Sequence, residues 1–186
     1  AEHPGVTVAE TIYMDDLDEI KKNAAAEQLN VTLEEAEGQQ TAEEGQDTEQ
    51  SDETAAVMDE INSIADSMSD EDAVAYCLSK HPDLKGCFGT NVNATQLGLK
   101  ALKNMDKIDD VVLMGFDAGA EQIEALQSGE IDGLVVQNPF GIGYAAVVAS
   151  ARTVLEIGNE AEVNTGYVWV DQENKEEKSV QAMLYE

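Results

Sequence analysis

Cys87-Phe88-Gly89-Thr90-Asn91, Val111-Val112-Leu113-Met114-Gly115-Phe116-Asp117 and Leu134-Val135-Val136-Gln137 are three versions of one pattern, all within residues 85–139. Each is a short apolar run that ends in a hydrogen-bonding side chain. Helical patterns separate the runs: Leu97, Ala101 and Leu102 follow Asn91, and Ile123, Leu126 and Gln127 follow Asp117. Apolar runs alternating with amphipathic helices mark βαβ units, hence a parallel sheet covered by helices in a three-layer αβα arrangement. Ligands of such sheets bind outside the carboxyl ends of the strands. Asn91, Asp117 and Gln137 all fall there, about one βα period apart, and are the candidate binding residues.

Working outward, the rest of the chain sets limits. Its 186 residues suffice for a domain with its own core, and 42% are apolar. Against 10 Lys and Arg stand 39 Asp and Glu, a net charge of −29. Such a surface repels a phosphate backbone, since nucleic-acid affinity comes largely from Lys and Arg displacing counterions. It disfavours anionic lipid surfaces for the same reason. No apolar run is long enough to span a bilayer. Ala1-Glu2-His3-Pro4 is not a signal peptide, and with no initiator Met the start reads as cut. Cys77 and Cys87 read as small buried hydrophobes; a disulfide between them stays open, and two cysteines without nearby His make a poor metal site.

Val6 to Tyr13 alternates apolar and polar residues and predicts a strand. The acids that follow, Asp15, Asp16 and Asp18, lack the spacing and the turn glycine of a calcium loop, and read as a solvated helix start. From Asn23 to Ser79 there is no Lys or Arg, but sixteen Asp and Glu. Its middle, Glu34 to Thr54, has almost nothing apolar and predicts a flexible excursion. Val57, Ile61, Ile64, Ala65 and Met68 then mark one face of a short helix. Ser69 to Asp72 is a capping box with Asp in the usual Glu position, and His81-Pro82 ends the helix it opens. Residues 21–69 thus read as an acidic insertion into an α/β unit. Gly129 stops the helix before the third run. Asn138-Pro139 breaks the chain ahead of a long apolar helix from about Gly141 to Ile157. Gly141-Ile142-Gly143-Tyr144-Ala145-Ala146 mimics a dinucleotide loop, but no strand runs into it, so its glycines read as packing positions and no cofactor is expected. Tyr167-Val168-Trp169-Val170 is a last strand, and Glu173 to Tyr185 a polar helix or tail.

These residues resemble the type I periplasmic sugar-binding proteins, the ribose-, galactose- and allose-binding group of ABC-transporter solute receptors. The likeness is carried by His81-Pro82-Asp83-Leu84-Lys85-Gly86, Phe88-Gly89-Thr90-Asn91, Leu97-Gly98-Leu99-Lys100-Ala101-Leu102, Gly115-Phe116-Asp117, Ser128-Gly129-Glu130-Ile131-Asp132 and Val136-Gln137-Asn138-Pro139-Phe140 with Gly143-Tyr144. It covers about residues 70–186 and, more loosely, 5–20, but not the acidic stretch. The resemblance implies one lobe of a two-lobed receptor, the carboxyl-terminal one, with the amino-terminal lobe absent. Residues 1–20 would be its first strand and helix start, 70–137 its βα core, 138–164 a crossover helix belonging to the absent lobe, and 165–186 the return strand and tail. That helix should expose an apolar stripe of Ile142, Ala145, Ala146, Ala149 and Val154. The family's ligand-contacting Asn, Asp and hinge Gln fall on Asn91, Asp117 and Gln137, and Asn138 and Thr165 fall at the hinge. Its stacking aromatic has no clear match; Asp16 and Leu17 lie nearest. The implied partners are a small-molecule sugar, an ABC permease and the amino-terminal lobe, with no metal and no catalysis. The implied location is periplasmic, or the cell surface as a lipoprotein. Two other readings share the fold class: the effector domain of a lactose-repressor-type regulator, and a flavodoxin-like enzyme, which is weakened by two histidines (His3 and His81) remote from the strand ends.

Overall fold

A computed structural model describes residues 5–38 and 48–184. The chain divides into two compact units, Ala1–Leu84 and Lys85–Glu186.

The first unit is helical: α1 (Leu17–Gln28), α2 (Leu33–Gly38), α3 (Thr48–Ser67) and α4 (Asp70–Ser79). Its core is built mostly of small side chains. Ala25, Ala26, Ala36, Ile61 and Ala65 are buried together, with Leu29, Val57 and Ile64 packed around them. Small residues let helices approach closely, which lets so acidic a sequence bury a contiguous face. α4 buries Ala73, Val74, Cys77 and Leu78. Its start is the predicted capping box: Ser69 Oγ accepts from Asp72 N at 3.1 Å, and Asp72 Oδ2 accepts from Ser69 N at 3.0 Å. Lys21 pairs with Asp70 at 2.6 Å, which ties α1 to that cap.

Two expectations fail in this unit. Val6 to Tyr13 forms no strand; Val6 and Val8 are 77% and 76% exposed. Alternation supplies a strand's two faces but not the neighbour whose ladder would pair with it, and no described strand does so. The flexible excursion is also corrected where it is described. Glu34 to Glu37 lie in α2, and Thr48 to Thr54 open α3, a helix of 20 residues rather than a short one. Thr32 and Glu35 cap α2 reciprocally, at 3.0 and 3.2 Å. The remainder of that stretch, 39–47, lies outside the described residues.

The second unit is a mixed α/β layer with a sheet that is parallel-dominated, as the sequence predicts. Its elements are β1 (Gly86–Phe88), α5 (Val92–Asn104), β2 (Val112–Phe116), α6 (Ala120–Ser128), β3 (Gly133–Gln137), α7 (Pro139–Val154), β4 (Tyr167–Asp171) and α8 (Lys178–Gln181). The order is β1-β2-β3-β4, parallel except for β4, which runs antiparallel to β3 with Gln137 opposite Tyr167. Leu113, Leu134, Val136 and Val170 are fully buried, as are Ala101 and Leu102 of α5. Gly129 closes α6 in the left-handed region at φ 86°, as its position after the last helical residue predicts.

Pro139 does not break the chain before α7 but opens it. A first-turn residue needs no backbone N–H, and Asn138 supplies the cap through Gly141 N at 2.9 Å. α7 buries none of its residues. Of the expected stripe, Ile142, Ala146 and Val154 are exposed while Ala145 and Ala149 are half-buried; Phe140, Tyr144 and Val147, outside that stripe, are 64–80% exposed.

Candidate functional site

The parallel order β1-β2-β3 brings the carboxyl ends of three neighbouring strands to one edge of the sheet. Asn91 follows β1, Asp117 follows β2 and Gln137 ends β3. Two of the three side chains meet: Gln137 Nε2 donates to Asp117 Oδ1 at 2.7 Å. An amide and a carboxylate held this way leave one carboxylate oxygen and the amide carbonyl oxygen as acceptors beside a remaining amide N–H. Vicinal hydroxyls, which each donate and accept, suit that set.

Asp117 has φ 68°, in the left-handed region, with its N–H bonded to Val135 O at 2.9 Å. The chain therefore reverses sharply at the strand end and turns the carboxylate toward Gln137. Asn91 is engaged differently. Its Oδ1 accepts from Ala94 N at 2.9 Å and caps α5, which leaves its Nδ2 free of that bond. The helix-cap and binding readings are thus compatible for Asn91 but divide its two polar atoms between them.

Beside this rim two of the three hinge candidates are joined: Asn138 Nδ2 donates to Thr165 O at 3.0 Å. The chain leaving β3 and the chain returning to β4 are pinned together at that point. The expected neighbours Asp16 and Leu17 belong to the Ala1–Leu84 unit. Asp16 is exposed, but Leu17 is only 4% exposed.

Sequence reasoning passed over Tyr167. It lies directly across the ladder from Gln137 and is 74% exposed. The signal was present, an aromatic at the start of the last strand, but only the antiparallel register places it at this edge. Two surface hollows lie elsewhere: about 280 Å³ lined by Glu10, Asp16 and Asn23 among others, and about 340 Å³ lined by Ile123, Gln127, Gln181 and Leu184. Among the described residues no group of three His, Cys, Asp or Glu could hold a metal ion, and no helix is long and apolar enough to cross a membrane.

Residues 46–158, more than half of the chain, match the periplasmic binding protein domain, and the chain belongs to that family. The match begins inside the acidic stretch and takes in all of α3, beyond the region whose motifs carried the resemblance. Among solved structures, two ABC-transporter solute-binding proteins from Agrobacterium vitis are similar, one with bound D-fucose and one with α-D-tagatopyranose. Each has a TM-score of 0.58 at 20% identity; they cover 91% and 92% of this chain, and 63% and 61% of their own. A carbohydrate transporter solute-binding protein from Agrobacterium radiobacter, in complex with D-arabinose, gives 0.57 at 22% identity, covering 91% of this chain and 64% of its own. At these identities the likeness establishes the fold, and this chain spans somewhat under two thirds of those proteins' length. No curated protein sequence matches it.

Proposed function

We propose that this chain is the carboxyl-terminal lobe of an ABC-transporter solute receptor and that it binds a monosaccharide-like sugar without chemical turnover. The observation that carries the reading is the hydrogen-bonded pair Asp117–Gln137 on the carboxyl edge of a parallel sheet, in a member of the periplasmic binding protein family. Asn91 adds its Nδ2, and the ring of Tyr167 offers the flat apolar surface that one face of a pyranose needs. The sugars bound by the similar solved receptors, D-fucose, D-tagatose and D-arabinose, point to the same ligand class.

On this reading residues 138–164 cross to an amino-terminal lobe and return at Thr165, with the Asn138–Thr165 contact as part of the hinge. The exposed side chains of α7 would be covered there. Residues 70–137 and 165–186 supply the lobe's own groove. Ligand held between lobes would shift an open–closed equilibrium that a permease reads. The protein would work outside the cytoplasm, in a periplasm or as a surface lipoprotein.

The test is titration calorimetry of the chain joined to its amino-terminal lobe against D-fucose, D-tagatose, D-arabinose and a wider sugar panel. Saturable binding by the wild type, lost or weakened at least about tenfold in Asp117→Asn, is the expected result; one tenfold step corresponds to 1.4 kcal/mol. Sugar affinity unchanged in that variant would refute the site.

A further inference from the structure

Two polar side chains lie in the core among the described residues, Thr95 and Gln122, both 0% exposed. Each sits beneath one of the strand-end loops that carry the candidate ligand-binding residues. We infer that Thr95 and Gln122 are positioning residues, which hold the backbone at Asn91 and at Asp117 in the geometry that presents those side chains to ligand. The inference rests on the sugar-binding reading for its functional consequence, but its structural claim is independent.

Thr95 Oγ1 donates to Asn91 O at 2.8 Å, with Gly89 O a longer alternative at 3.4 Å, and it stands 3.4 Å from Phe116 N as acceptor. One hydroxyl therefore touches the end of β1, the N-terminus of α5 and the last residue of β2. It reaches that position because the residue after β1 and one within β2 are glycines: a Cβ on Gly89 or on Gly115 would overlap Thr95. A threonine needed only to fill space inside α5 requires neither glycine nor a contact with Phe116 N.

Gln122 performs the matching task on β2. Its Oε1 accepts from Gly119 N at 2.9 Å, and its Nε2 donates to Phe116 O at 3.0 Å. The first bond is an ordinary helix cap. The second is not, because it reaches back past the cap to the residue before Asp117. Together they clamp the ends of the Phe116–Gly119 loop, inside which Asp117 holds φ 68° and accepts from Gln137. Buried polar groups are costly unless fully bonded, and both side chains use their bonds on loop backbone rather than on core neighbours.

The test uses the 186-residue chain first. By NMR the side-chain amide of Gln137 reports its bond to Asp117, and the backbone amides of Phe116, Asp117 and Gly119 report the loop. Thr95→Val and Gln122→Met, which keep size but remove the polar atoms, should speed exchange of these amides about tenfold or more and shift the Gln137 side-chain signal toward the free amide. Thr95→Ser, which restores the hydroxyl, should behave as wild type. Folded variants with unchanged signals overturn the inference, as does Thr95→Ser matching Thr95→Val. Should both Val and Met variants fail to fold, the wild type decides: loop amides exchanging at unstructured-peptide rates overturn the inference, and protection of about a hundredfold supports it. In the two-lobed receptor, Thr95→Val should weaken D-fucose, D-tagatose or D-arabinose binding about three- to tenfold, with Thr95→Ser within about twofold of wild type, the scale of one net hydrogen bond. Unchanged affinity in Thr95→Val sinks the positioning role. No binding of any sugar by wild type sinks the sugar reading instead and leaves the NMR result standing.

Discussion

Replacing Asp117 tests the backbone geometry on which the site depends, independently of ligand. With φ 68°, Asp117 sits where a Cβ crowds the following carbonyl. That costs an ordinary L-residue about 1–2 kcal/mol, and less for Asp and Asn, whose side chains bond locally. Asp117→Ala meets this cost and also deletes the acceptor for Gln137 Nε2, a half-exposed bond of about 0.5 kcal/mol. The expected loss, the strain beyond what Asp already bears plus that bond, is about 1–2 kcal/mol. Asp117→Gly loses the same bond but is at ease at positive φ. Against that stands the greater freedom of its unfolded chain, about 0.4–1 kcal/mol. Glycine should therefore be more stable than alanine here by about 0.5–1 kcal/mol, an inversion of the order found in helices and strands. Asp117→Asn keeps the left-handed preference and an acceptor, and should stay within about 0.5 kcal/mol of wild type. Urea unfolding followed by the fluorescence of Trp169, the single tryptophan, reads this directly, since the ring packs on Gly133 in the adjacent strand pair. An alanine variant as stable as the glycine variant, or more stable, would refute the left-handed conformation at Asp117 and with it the orientation of its carboxylate.

Among the described residues of the helical unit, Ile61 is the one large side chain buried in an alanine-rich cluster, so Ile61→Ala should cost about 2–5 kcal/mol, seen as early loss of helical circular dichroism in urea. A shift under about 1 kcal/mol would mean that α3 is not packed there. Burial pushes the Cys77 thiol up to about 11 and raises that of Cys87 as well. At pH 8 Cys77 should react with a thiol reagent on the order of a hundredfold more slowly in the native chain than in urea, and Cys87 more slowly as well; rapid native labelling of Cys77 would contradict its burial. Lys103, 2.6 Å from Glu130, holds that carboxyl below its ordinary value. Because the folded value is depressed, the stabilisation is present at neutral pH and fades as pH falls through it. Lys103→Gln should lower the urea midpoint at pH 7, and the gap from wild type should close below about pH 4; a gap independent of pH would assign the loss to packing.

Local order along the chain was enough to read the βα core. A run of apolar residues, a polar residue at its end and an amphipathic helix after it are signals carried by neighbours, and they suffice to place Asn91, Asp117 and Gln137 at strand ends, with the Ser69 cap and the Gly129 stop. What depends on distant partners was not legible. Val6 to Tyr13 has a strand's alternation, yet a strand exists only where another pairs with it. α2 looks like solvated acid from its composition; the alanines that pack there, Ala25, Ala26 and Ala36, are weak signals until three helices bring them together. Thr95 and Gln122 read as ordinary polar helix residues, and Tyr167 as an ordinary strand aromatic. The tertiary structure alone decided that the first two point inward to loop backbone, and that antiparallel pairing sets the third beside Gln137. The physical reason is the same throughout: periodicity encodes which way a residue faces, whereas what it faces is settled only when the sheet closes its ladder.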